Sequence, residues 1–117
     1  MRDPTKLRAF ELADQLALAI YKETRSFPRE EMFGLTSQLR RAAVSVPSNI
    51  VEGTARFSEA EYLQFLNTAY GSARELEYQV GLAFRLGFLA ESSYRQLYEL
   101  SLETSKVLNG LVRSLRK

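Results

Sequence analysis

Polar side chains between Phe27 and Arg56 repeat at helical spacing. Gln38, Arg41, Ser45, Ser48 or Asn49, Glu52 and Arg56 recur every three or four residues, and such residues share one helix face. The stripe holds guanidiniums, a carboxylate, carboxamides and hydroxyls. That chemistry is hydrogen bonding and charge pairing. Ser and Asn are poor residues for a helix interior, so something other than helix propensity selects them here. Glu61, Thr68, Ser72, Glu75 and Gln79 form a second stripe downstream, spaced by 7, 4, 3 and 4 residues. The two stripes can face each other within one bundle or across subunits. Arg41 with Glu75 is the expected pair, because Arg–carboxylate pairs have good geometry. If that pair is buried, Glu75→Ala costs about 3–5 kcal/mol. Gln38, Ser45, Ser48, Asn49, Glu52, Ser72 and Glu75 are the candidate assembly or interhelical contacts.

Catalytic constellations are missing. The chain has no His and no Cys, which removes Ser-His-Asp triads, Cys nucleophiles, disulfides and Cys/His zinc sites. A carboxylate-bridged metal bundle uses Glu-x-x-His. Glu75 and Glu77 fall on different helix faces, so a shared metal is not expected. The glycines match no phosphate-loop pattern. The sequence therefore gives no catalytic residue, no metal site and no cofactor.

The bases are more telling. Of 16 basic residues, 12 are Arg and 4 are Lys. Arg suits bidentate contact with carboxylate or phosphate and tolerates partial burial, so internal ion pairing and phosphate binding both explain the bias. Arg40, Arg41, Arg56, Arg74 and Arg85 are the candidate nucleic-acid contacts, with the tail Arg113, Arg116 and Lys117. Net charge is only +2. Repetition around a symmetric ring multiplies such a modest patch. The aromatics, six Tyr and seven Phe, fall mostly on core stripes. None is singled out as a base-stacking residue, and basic and aromatic residues do not interleave as in single-strand binders.

Four helices must position these residues. The first begins after Asp3-Pro4, with Asp3 as cap and Pro4 in the first turn. It buries Phe10, Ala13, Leu16, Ala17, Ile20, Tyr21 and Thr24, and Ser26-Phe27-Pro28 ends it. The second runs from about Glu31 to about Thr54. Leu35, Leu39, Ala42, Val46, Ile50 and Gly53 form its apolar face. Pro47 cannot donate to the Ala43 carbonyl, so the helix bends there, or ends near Val46 and restarts. Ser45 or Ser48 can take up the freed carbonyl. Ser58-Glu59-Ala60-Glu61 is a capping box that opens the third helix, and Gly87 stops it. Its stripe runs from Tyr62 to Phe84. Gly71, Ser72 and Ala73, with Ala42, Ala43 and Ser45, suggest a close helix–helix approach. The fourth helix starts near Ser92 or Ser93, and its stripe runs from Tyr94 to Leu115.

Short connections make neighbouring helices antiparallel. The expectation is an all-α, up-down-up-down four-helix bundle, one domain over residues 1–117. At this length roughly 65% of the unfolded surface can be buried. The composition, 45% hydrophobic and 26% charged, is that of a globular protein. The N-terminus has no signal-type apolar run, and no segment approaches the roughly 18 apolar residues of a membrane span. With no Cys, a cytoplasmic setting without a membrane partner is expected.

The block Gln38-Leu39-Arg40-Arg41-Ala42-Ala43, then Ser45, then Pro47-Ser48-Asn49-Ile50 and Glu52-Gly53, resembles the bacterial four helix bundle family. Phe65-Leu66, Ala69, Gly71-Ser72 and Glu75-Leu76-Glu77 extend the likeness. These proteins are encoded in intervening sequences of 23S ribosomal RNA genes. The resemblance covers about Phe10 to about Leu115. Two departures are Val51, where Ala is commoner, and the lack of a Trp in the first helix. The resemblance implies a four-helix bundle assembled as a ring-shaped homopentamer. A related branch, the accessory variability determinant of diversity-generating retroelements, implies binding of nucleic acid, RNA or DNA, and of a reverse transcriptase. No agreed activity comes with the ribosomal-insert branch. Arg40, Arg41, Ser45, Pro47, Ser48, Asn49, Glu52, Gly53, Arg56, Gly71, Ser72 and Glu75 carry the match, as packing and assembly residues first. A protein scaffold with no nucleic-acid role is the competing expectation.

Overall fold

The computed structural model describes residues 2–116; Lys117 of the basic tail lies outside them. The helices are α1 Arg8–Thr24, α2 Leu35–Thr54, α3 Glu59–Arg85 and α4 Glu91–Leu115. No strand occurs among the described residues. The 27 residues of α3 span about 40 Å. The molecule measures 43 × 23 × 20 Å, so the helices lie along its long axis. Residue pairs give the direction. Ser45 meets Ser72 at the middle of α2 and α3, and Gly53 late in α2 meets Tyr62 and Phe65 early in α3. Glu77 and Phe84 of α3 likewise meet Ser105 and Tyr94 of α4. Successive helices are antiparallel, and each packs on two neighbours, with α4 returning to α1. The all-α four-helix bundle is as expected.

Helix ends follow local chemistry, with some shifts from expectation. Asp3 caps a separate 3-10 turn, Pro4–Lys6, with Oδ1 accepting from Thr5 N at 3.0 Å. Leu7 is extended and α1 starts after it. Glu31 belongs to another 3-10 turn and lies outside α2; its Oε1 accepts from Leu35 N at 3.0 Å and so caps the helix. Ser58 caps α3 as expected, accepting from Glu61 N at 3.1 Å. Gly87, at φ +83°, closes α3. The bonds Gly87 N to Phe84 O and Phe88 N to Ala83 O are the Schellman pattern, which needs the left-handed residue. Neither Ser92 nor Ser93 caps α4; extended Ala90 precedes it, and both serines lie in its first turn.

Leu16, Ile20, Leu39, Val46, Ile50, Leu66, Leu76, Val80 and Leu108 are fully buried. In α1, Ala9 and Leu12 join the core, whereas Tyr21 is 42% exposed. The α4 face includes Ser101 and Thr104, each donating to the carbonyl four residues back at 2.7 Å. Helix α2 is continuous through Pro47, so it does not end and restart there. Neither nearby serine takes up the Ala43 carbonyl. Ser45 Oγ instead lies 2.8 Å from Ser72 Oγ, and Ser48 is exposed.

Helix α3 crowds α2 at Gly53. A Cβ there would sit 3.0 Å from Phe65 Cβ and 3.1 Å from Tyr62 Cδ1. Gly53→Val is expected to destabilise by about 2–3 kcal/mol through overpacking, read as a lower urea midpoint. An unchanged midpoint would mean that α2 and α3 can separate there without loss.

Burial raises the pKa of Tyr62 above its ordinary 10.0, and the Arg2 charge partly offsets this. Above about pH 10 the unfolded chain ionises Tyr62 while the folded chain keeps the proton, so stability falls as pH rises through the folded pKa. Tyr62→Phe is expected to flatten that decline in alkaline urea titrations. An identical decline in the variant would assign it to other groups.

Candidate nucleic-acid interface

The α2–α3 seam brings part of the two polar stripes together. Beyond the Ser45–Ser72 contact, Asn49 Nδ2 donates to Ser45 O at 2.8 Å and to Ser45 Oγ at 3.0 Å. These half-buried groups satisfy one another, which fixes the register of the two helices. The expected Arg41–Glu75 pair does not form. Both side chains are exposed, and Glu75 instead accepts from Gln79 Nε2 at 3.0 Å. An ion pair in water gains little over solvation, so nothing draws the two together. Gln38, Ser48 and Glu52 also face solvent. Among the described residues Glu52 pairs with Arg56 alone, at 3.9 Å.

A more buried carboxylate between helices is Glu77. Its side chain is 12% exposed, it lies 3.4 Å from Arg74 Nε, and it accepts from the Ser105 hydroxyl of α4. A hint was available in sequence, because Ser105 shares a face with Ser101 and Leu108. Gly71 departs from expectation as well. It is exposed, and a Cβ there would meet nothing within 4 Å, so it serves no close approach inside this chain.

The five candidate arginines do not form one patch. Arg40 leans toward α1, with Nε donating to Thr24 Oγ1 at 2.9 Å and the guanidinium 4.8 Å from the Tyr21 ring centroid. Arg41 lies beside it, exposed. At the other end of α2, Arg56 lies 4.8 Å from the Phe65 centroid. Arg2 donates to Arg56 O at 2.9 Å and covers Tyr62 at 4.2 Å. Arg74 points toward α4; its pKa is raised, first by a hydrogen bond to Tyr70 and then by the charge of Glu77. Arg85 closes α3, donating to Gly81 O at 3.4 Å with Tyr78 beneath it at 5.9 Å.

Sequence reasoning missed two aromatics. Phe33 is 94% and Phe57 99% exposed, one just before α2 and one just after it. Both lie in connections, outside any helical period. Each stands beside arginines: Phe33 rims a pocket with Arg40 and Arg41, and Phe57 lines another with Arg2 and Arg56. Aromatic faces beside guanidiniums are the elements of a stacking surface for bases.

The family model of the 23S rRNA-intervening sequence protein matches residues 5–110. The chain belongs to that family. Solved structures similar to it include a protein with unknown function from the S23 ribosomal protein family of Bacteroides thetaiotaomicron VPI-5482. That structure superposes with a TM-score of 0.83 at 24% identity, covering 90% of this chain and 95% of that one. At this identity the likeness shows the fold alone. No curated protein matches the chain. Among the described residues no three His, Cys, Asp or Glu side chains gather where a metal could sit. Nor is any described helix long and apolar enough to cross a membrane.

Proposed function

We propose that this chain is a non-enzymatic, self-assembling module of the cytoplasm that binds nucleic acid, RNA or DNA, or supports a nucleic-acid-binding partner such as a reverse transcriptase. The observation that carries this reading is the pairing of a solvent-exposed Phe with arginines at each end of α2. The exposed rings offer flat apolar faces to solvent. Beside guanidiniums they suit the flat bases and phosphates of a single strand. The ring-shaped homopentamer implied by the family resemblance would repeat each cluster and multiply its field. Exposed Gly71, next to the Ser45–Ser72 seam, suits the approach of another copy.

A purely protein–protein scaffold is the second reading. It is favoured by the outward α2 face, where Val44 and Val51 are 42% and 43% exposed and Ser48 lies between them. Native mass spectrometry at low salt separates the two. A pentamer of 13.3 kDa subunits carrying nucleotide mass is the expected result. A bare pentamer that binds no added RNA or DNA would overturn the nucleic-acid reading and leave the scaffold. A monomer would remove the assembly.

A further inference from the structure

The pocket where α1 meets the start of α2 has a volume of about 430 Å³. Its two arginines are among those with no carboxylate partner among the described residues. Arg8, Arg56, Arg74 and Arg95 each lie within 4.0 Å of a carboxylate, whereas among the described residues Arg40 and Arg41 do not. Arg40 is nonetheless held in place. Thr24 Oγ1 donates to Ile20 O at 2.7 Å and accepts from Arg40 Nε at 2.9 Å, while the Tyr21 ring supports the guanidinium. This leaves the terminal amino groups of Arg40 for another acceptor. The nearest acid along the chain, Glu31, is committed to the Leu35 N–H.

Thr36 also lines this pocket. It is 6% exposed and its Oγ1 has no hydrogen-bond partner. A buried hydroxyl without a partner is a cost that a bound acceptor removes. Phe33 stands on the rim with no ring against it. Two guanidiniums, a hydroxyl and a bare aromatic face thus converge on one opening.

We infer that this pocket seats one nucleotide unit, its phosphate on Arg40, Arg41 and Thr36 and its base stacked on Phe33. A phosphate accepts from several donors at once, which matches the donors present. An acidic peptide side chain would leave Phe33 unused. The inference rests on the nucleic-acid reading above and adds the location. The opposite end of α2 is less suited, because Arg56 has Glu52 beside it and Arg2 is engaged with Tyr62 and a carbonyl.

Fluorescence anisotropy with a short labelled oligothymidine at low salt tests the seat. Phe33→Ala is expected to weaken binding about 5- to 150-fold, the usual worth of one stacked base. Arg41→Ala is expected to weaken it and to lower the slope of log affinity against log salt by about 0.7 for each phosphate no longer neutralised. Thr36→Val, which keeps shape and removes the hydroxyl, is expected to cost about 2- to 10-fold. Competition by thymidine monophosphate at concentrations equal in nucleotide would assign the seat to free nucleotides, and competition by strands alone would assign it to single-stranded nucleic acid. Wild-type affinity in both Phe33→Ala and Arg41→Ala would overturn the seat while leaving the function. A loss on Phe57→Ala alone would move the seat to the other end. A changed subunit number in Phe33→Ala would show that copies bury this ring, and would overturn it too. No binding by the wild type at low salt would remove the nucleic-acid reading and the seat with it.

Discussion

Raising salt from about 50 mM to about 200 mM is expected to weaken binding of a single strand by the assembled protein about a thousandfold. The size of the effect comes from repetition. One protomer offers few phosphate donors, chiefly Arg40 and Arg41, with net charge only +2. In the proposed ring of five these would come to about six to ten phosphates neutralised, and each one releases condensed counterions that added salt opposes. Anisotropy titrations at several salt concentrations check this. A loss below about tenfold would mean that only one or two phosphates are engaged. Binding would then belong to single protomers, and the ring would contribute nothing to it.

Leu76→Ala is expected to lower stability by about 3–5 kcal/mol, whereas the adjacent Glu75→Ala costs about 1–2 kcal/mol. Leu76 is fully buried on α3, the helix that touches both α2 and α4. Its truncation loses transfer free energy and leaves a cavity that the close-packed helices cannot fill. In a domain stabilised by about 5–15 kcal/mol that is a large share. Glu75 faces water, and among the described residues it accepts only from Gln79, whose buried amide would lose its partner. Urea midpoints of the two variants give both numbers. A cost of about 3 kcal/mol or more for Glu75→Ala would place its partner on another subunit, because breaking a buried pair leaves a stranded charge. The loss would then depend on protein concentration.

The contrast between these neighbours shows what could be read in advance. The helical period placed Leu39, Val46, Ile50, Leu66, Leu76, Val80 and Leu108 inward, and all are buried. Periodicity works for them because burying apolar area is non-directional: a side chain on the right face of an amphipathic helix contributes whatever its exact neighbour. The caps at Ser58 and Gly87 were legible because a cap uses bonds within a few residues. The family block was legible for the same reason, as a run of contiguous residues.

Polar partnership was not legible. A hydrogen bond or ion pair needs donor and acceptor within about 3 Å and in line, which depends on the rotation and register of two helices. Arg41 and Glu75 lie at matching levels on neighbouring helices and still both turn to water. Ser45 with Ser72, Glu77 with Ser105, Arg40 with Thr24 and Arg8 with Glu103 are among the pairs that form instead. Phe33 and Phe57 escaped for a related reason: in a connection there is no period to assign a face, and only the packed chain leaves them bare. The sequence by itself determined an all-α chain, its helices, its core and its family. The tertiary structure alone decided which polar groups meet, and that Arg40 and Arg41 stand with Phe33 around one opening, because directional contacts are set by helix orientation and not by spacing along the chain.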